Sequence, residues 1–172
     1  DINTGDVVDT VSQVKDVFGA HDASFKFLDL GILDDTLFVM MAQKELTGMA
    51  LIPFDNMTID HTRAFEYKDV EVISISNGMV VIKYEDKDQG LYIEALDFNT
   101  FASVWKSPMD ATGLAPVITN SQVLLVDAGQ DIVSFSRLGG TNIRRINLQD
   151  LWALYAGADT EVFVEKIYKI VP

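Results

Sequence analysis

The chain holds two histidines, His21 and His61, the residue type most often used as a general base. His61 lies between Asp60 and Thr62, and a carboxylate beside an imidazole can orient a general base. Neighbours in a strand point to opposite faces. Asp60 and His61 are therefore expected not to pair, and His61 reads as a surface or edge histidine. His21 stands beside Asp22 just past a presumed helix and makes no site alone. Asp86, Asp88, Gly90 and Glu94 have some of the look of a calcium loop. The EF-hand order needs glycine sixth and glutamate twelfth, whereas here they fall fifth and ninth. An acidic hairpin turn is the favoured reading. Gly139-Gly140 lies between strands and opens no helix, so it lacks the setting of a phosphate loop. No Gly-x-Ser-x-Gly elbow is present. Trp105, Trp152 and Tyr155, and with them Met40, Met41, Met49 and Met57, read as core. No catalytic, cofactor-binding or metal-ligating residue is assigned, and no cofactor is expected.

What must position any function is a chain of 172 residues, 48% hydrophobic. That is too apolar for a disordered segment, and the length suffices for a sizeable core. The 172 residues contain no cysteine, so they form neither disulfides nor thiolate metal sites. The net charge of −13 repels phosphate backbones and argues against nucleic-acid binding. Arg137, Arg144 and Arg145 are the one basic cluster and read as a solvated sheet edge. No apolar run approaches the ~20 residues of a membrane helix. The sequence opens Asp1-Ile2-Asn3-Thr4 and reads as a processed product or an excised piece.

The chain repeats. Leu37–Met41, Met79–Ile82 and Val123–Val126 start 42 and 44 residues apart, a spacing typical of propeller blades. Each follows a shorter strand (Phe25–Leu30, Val70–Ser76, Ala115–Thr119) across a turn, of which Asn77-Gly78 is the clearest hairpin signal. Polar turns at Lys44–Gly48, Glu85–Gly90 and Gly129–Asp131 lead to Met49–Phe54, Leu91–Phe98 and Ile132–Ser136. Corners aligned on Asp55, Asp97 and Ser136 lead to fourth strands at Ile59–Phe65, Phe101–Trp105 and Asn142–Leu148. Four strands joined by tight turns describe a blade. Trp152–Tyr155 and Val162–Val171 read as two strands of a partial fourth unit. Val7, Val11, Val14 and Phe18 recur at helical spacing, which predicts a helix over 6–18. The expected organisation is a helical segment, 1–20, and a β domain, 21–172, with repeats near 24–66, 67–109, 110–150 and 151–172.

The second repeat, Ala95-Leu96-Asp97 with Thr100 and Val104-Trp105, resembles the blade motif of quinoprotein-type (PQQ-like) propellers. That family includes outer-membrane assembly scaffolds. The pattern is Ala-Leu-Asp, two residues, Thr-Gly, three residues, Trp; here Phe101 replaces the glycine. On the same alignment, repeat one keeps Asp55 and Thr58 with Ile59 and Arg63 for Gly and Trp, and repeat three keeps neither Asp nor Trp. The resemblance implies a propeller-like fold and does not imply a quinone cofactor.

The expected fold is all-β, about three and a half propeller-like blades with one short N-terminal helix. The expected function is a non-catalytic structural or protein-interaction module, an envelope scaffold or virion component. It would act on a protein partner, or by self-association, through open blade edges. The favoured location is extracytoplasmic or virion-associated. A pore-sited hydrolase or lyase, and a calcium-dependent or small-ligand binding domain, are the alternatives.

Overall fold

In the computed structural model, residues 26–43, 46–65, 68–86, 88–112, 114 and 116–156 are described. They form an all-β, propeller-like architecture of three four-stranded antiparallel sheets, followed by one helix. The first sheet holds β1 (Lys26–Leu33), β2 (Thr36–Gln43), β3 (Leu46–Pro53) and β4 (His61–Phe65). The second holds β5 (Lys68–Ser76), β6 (Met79–Asp86), β7 (Gly90–Asp97) and β8 (Ser103–Pro108). The third holds β9 (Val117–Ile118), β10 (Gln122–Val126), β11 (Ile132–Ser136) and β12 (Asn142–Ile146). Within each sheet the strands lie in chain order. By contact density the chain divides into two units, residues 1–68 with 99–101, and residues 69–98 with 102–172.

The hairpins follow from local chemistry. Asn77 and Gly78 both take positive φ, 50° and 71°, the pairing a two-residue turn requires between right-twisted strands. The strands it joins are β-branched and aliphatic, as pleated, half-buried surfaces prefer.

Register corrects the alignment of the corners. Pro53, Asp97 and Ser136 each pair with the first residue of the preceding strand, Thr36, Met79 and Gln122. Pro53, not Asp55, is therefore the counterpart of Asp97. Four residues on, Met57, Phe101 and Gly140 all take positive φ, at 51°, 54° and 60°. The glycine position of repeat one is thus Met57 rather than Ile59. Leu51 pairs with His61 as Ala95 pairs with Trp105 and Ser134 with Arg144. His61, not Arg63, holds the tryptophan position of repeat one. The spacing error arose because an aspartate two residues into the turn looked like the aspartate that ends a strand.

Other differences are local. Residues 46–48 belong to β3 rather than to a turn. Phe101 closes a corner with its left-handed backbone, so β8 starts two residues later. Trp152–Tyr155 is not a strand: Leu148–Ala156 forms α1. Asn147 caps it, its Oδ1 accepting the Asp150 N–H at 2.7 Å. Leu148, Leu151, Trp152 and Tyr155 recur at helical spacing, with no β-branched residue between them. The expected helix over 6–18, and the strand over 162–171, lie outside the described residues.

In the first unit, Phe101 is buried and meets Phe38 edge-on, ring centroids 6.0 Å apart at 82°. Its carbonyl accepts a hydrogen bond from Arg63 Nη1 at 2.8 Å, and that guanidinium lies 4.6 Å from the centre of the Phe65 ring. A left-handed backbone costs a side chain of this kind about 1–2 kcal/mol. Losing a buried phenylalanine costs about 3–5 kcal/mol, so burial outweighs strain. Phe101→Gly, which restores the blade-motif residue, is expected to destabilise the protein by about 2–3 kcal/mol. A urea midpoint equal to or above that of the parent would contradict the assignment.

Candidate docking face

The second and third sheets share one core within the second unit. Val81, Ile93, Ala95 and Trp105 on one side meet Val123, Leu125, Val133 and Phe135 on the other. Alternation puts each set on one face of its sheet. The Trp105 ring stacks on Phe135, with centroids 5.3 Å apart at 19°. Its indole N–H donates to the Arg137 carbonyl at 2.8 Å. A Cβ at Gly140 would lie 2.4 Å from the Cβ of Trp105, so only glycine lets the β11–β12 corner seat against it. Arg137 reaches back. Its Nη2 donates to the Asn77 carbonyl at 2.6 Å, and its Nε lies 3.3 Å from the Met79 sulfur. Asn77 Nδ2 completes the joint by donating to the Ile118 carbonyl at 2.6 Å.

The opposite face of the third sheet forms an open concavity of about 320 Å³ lined by Gln122, Leu124, Ile132, Ser134, Ile143, Arg144 and Ile146. Gln122 and Ser134 are hydrogen-bonded across it at 3.0 Å. Leu124 and Ile132 are half-buried, and Ile143 and Arg144 are exposed. Register makes these residues the counterparts of the second sheet's joint. Gln122 stands where Met79 stands, Leu124 for Val81, Ile132 for Ile93, Ser134 for Ala95 and Arg144 for Trp105. Asn120 precedes Gln122 as Asn77 precedes Met79.

The residues singled out from sequence are dispersed. His61 Nδ1 and Asp60 Oδ2 are 3.0 Å apart on the surface. They pair, against expectation, because Asp60 precedes β4 and strand alternation does not govern it. His21 and Asp22 lie outside the described residues. Asp86 Oδ1 accepts the Asp88 N–H at 3.1 Å and its Oδ2 lies 3.7 Å from Lys106 Nζ, while Glu94 is buried in β7. Among the described residues no group of three His, Cys, Asp or Glu side chains is placed to hold a metal. Met40, Met41, Met49 and Trp105 are core, whereas Trp152 is exposed on α1. Gly139-Gly140 forms the corner that seats Trp105.

The basic cluster also separates. Arg137 belongs to the joint, and Arg145 binds Asp127 and, at 3.0 Å, Asp131 across the β10–β11 turn. The hydrogen bonds it donates to Asp131 and then to Asp127 hold the Arg145 guanidinium above its usual range. Its contribution is fully present below the ordinary arginine range and is lost only above it, so arginine titration plays no part near neutrality. Arg144, its neighbour, turns to the concavity. One sign of this face is legible in the sequence: asparagine recurs before the second strand of both repeats, at Asn77 and Asn120.

No protein-family model matches the chain, and no curated protein matches it. Among solved structures it is similar to a europium-containing methanol dehydrogenase, at 13% identity and a TM-score of 0.47. That match covers 70% of this chain and 27% of the enzyme. It is also similar to BamB from Moraxella catarrhalis, at 13% identity and a TM-score of 0.39, covering 69% of this chain and 50% of that one. Both are PQQ-like β-propeller proteins. The chain thus spans about a quarter of the first and half of the second.

Gly140→Ala combines a left-handed backbone with overlap on Trp105 and is expected to cost about 2–4 kcal/mol. Gly139→Ala meets nothing nearer than 3.6 Å and is expected to change stability by about 0.5 kcal/mol or less. Equal urea midpoints for the two variants would show that the corner does not seat on the tryptophan.

Proposed function

We propose that the chain is a non-catalytic interaction module that works by assembly with other proteins. The observation that carries the reading is where large apolar side chains are exposed. Leu28, Leu30 and Ile32 project from β1, Leu138 and Ile143 from the third sheet and its corner, and Leu151, Trp152 and Leu154 from α1. Among the described residues of the second sheet, Leu91 alone is such a residue. Apolar surface grouped on β1 and on α1, rather than scattered singly, is the mark of an interaction surface.

Charge and pairing support the non-catalytic part. Lys83 pairs with Glu71 at 2.9 Å beside a second, smaller concavity of about 230 Å³. Asp127 and Asp131 are committed to Arg145. These contacts fix turns and strands. A chain of net charge −13 favours protein partners over nucleic acid. No helix among the described residues is long and apolar enough to cross a membrane.

The test is the mass of the chain in an extract of its native host, by size exclusion with light scattering, beside that of the purified chain. A native species well above 19.1 kDa, with the purified chain reduced to a monomer or aggregating, is the expected result. A native monomer would overturn the reading.

A further inference from the structure

We infer that Asn56 is the attachment site of an N-linked glycan, transferred to its side-chain amide from a lipid-linked oligosaccharide. The inference stands apart from the assembly reading and concerns the corner between β3 and β4, which that reading does not use.

Asn56-Met57-Thr58 has the acceptor spacing: an asparagine, then a hydroxyl two residues on, with no proline between. No other asparagine of the chain stands in that spacing. Such a spacing arises by chance in many chains, but this corner presents it in reactive form. Its backbone is pinned from both sides. The Phe54 N–H donates to the Asp35 carbonyl, the Met57 N–H to the Pro53 carbonyl and the Asp60 N–H to the Leu51 carbonyl, each at 2.9 Å. Asn56 and Thr58 are left exposed between these ties. Met57 takes a φ of 51°, and the chain turns Thr58 back onto the asparagine. Proline, with φ fixed at about −65°, could not hold that angle.

Asn56 Oδ1 accepts twice, from the Thr58 N–H and from the Thr58 hydroxyl, each at 2.9 Å. A backbone N–H must meet an acceptor, so the oxygen is the end turned inward and Nδ2 the end turned out. Nδ2 has no hydrogen-bond partner among the described residues. Other asparagines spend their side chains on the fold: Asn77 Nδ2 donates to the Ile118 carbonyl, and Asn147 Oδ1 caps α1. Nor does the corner itself demand this pair. The same left-handed turn recurs at Phe101 and Gly140, where the matching places hold Thr100 with Ala102 and Gly139 with Thr141.

The chemistry follows from that geometry. A carboxamide nitrogen is a poor nucleophile because its lone pair is delocalised into the carbonyl. Two donors on Oδ1 draw that density onto oxygen and make an Nδ2 proton easier to remove. The nitrogen then attacks the anomeric carbon of a sugar carried on a lipid pyrophosphate. The C1–Nδ2 bond forms and the C1–O bond to pyrophosphate breaks. The lipid pyrophosphate departs with that electron pair, and the Nδ2 proton passes to a base of the transferase. A glycan is bulky and belongs on a surface; with Phe54, Asp55 and Asn56 all exposed, it displaces no core side chain.

Trypsin cuts after Lys44 and Arg63, and in the peptide 45–63 Asn56 is the one asparagine. The experiment measures the mass of that peptide from the full chain isolated from its native host, with fragmentation to place any added sugar. The expected result is a sugar on Asn56. Asn56→Asp keeps an oxygen for both Thr58 donors and has no nucleophile, and Thr58→Val keeps the side-chain shape without the hydroxyl. Both variants, expressed in the same host, should lose the glycan. Thr58→Ser keeps the hydroxyl and should keep the glycan, which separates loss of the acceptor from loss of the fold. A native peptide of unmodified mass overturns the proposal. So does a sugar placed on a threonine of the peptide, or a glycan that survives Thr58→Val. These outcomes turn on one peptide rather than on the size of the native species, so failure here leaves the assembly reading standing.

Discussion

A glycine pressed against a tryptophan holds the second and third sheets together. β9 has only two residues and β12 is exposed along most of its length, so the third sheet is poorly equipped to stand alone. It is held because its inner face completes a core begun by the second sheet, and because the corner at Gly140 lets that face come close enough to pack. The dependence runs one way. Aliphatic side chains supply most of the burial, but they meet only if the corner backbone passes so near Trp105 that a Cβ at Gly140 would lie 2.4 Å from the Trp105 Cβ. Trp105 then adds a stacked ring and a hydrogen bond to the same corner.

Three arginines do related work in a chain short of positive charge. Arg63 donates to the Phe101 carbonyl, Arg137 to the Asn77 carbonyl, and Arg145 to Asp127 and Asp131. Each ties a turn to a strand or to another turn. Turns bring carbonyls out of the ladder, and a planar group with several donors can satisfy them from a distance. The acidic residues at corners and hairpins are likewise largely taken up by their own turns, as with Asp86 and Asp127. The basic cluster read from sequence is therefore a set of separate clasps, with Arg144 alone directed to the open concavity.

Most of the β architecture was legible because each unit alternates strongly and turns on residues that tolerate positive φ. Asn77-Gly78 is the plainest case, and β10 and β11 were placed within a residue of where they lie. Corners were less legible, since their defining feature is a backbone angle rather than a residue type. Met57, Phe101 and Gly140 share one conformation with three different side chains, so the alignment slipped by two in the first repeat. The α1 segment was misread because a short apolar run fits either period until its cap, Asn147, is weighed. Apart from the recurring asparagine, the concave face of the third sheet was not legible as a motif. It consists of substitutions at joint positions, Arg for Trp and Gln for Met, which have meaning only once register is known.

The strictly sequential strand order has a consequence for how the chain is made. Every sheet pairs neighbours in sequence, so its ladders form across short loops and lose little entropy on closing. Each sheet can assemble as soon as its own residues emerge from the ribosome, and the second already presents Trp105 before the corner that will meet it exists. Gly140 lies only 35 residues behind that ring. Synthesis from the N-terminus thus builds a template first and delivers the weaker third sheet to it afterwards.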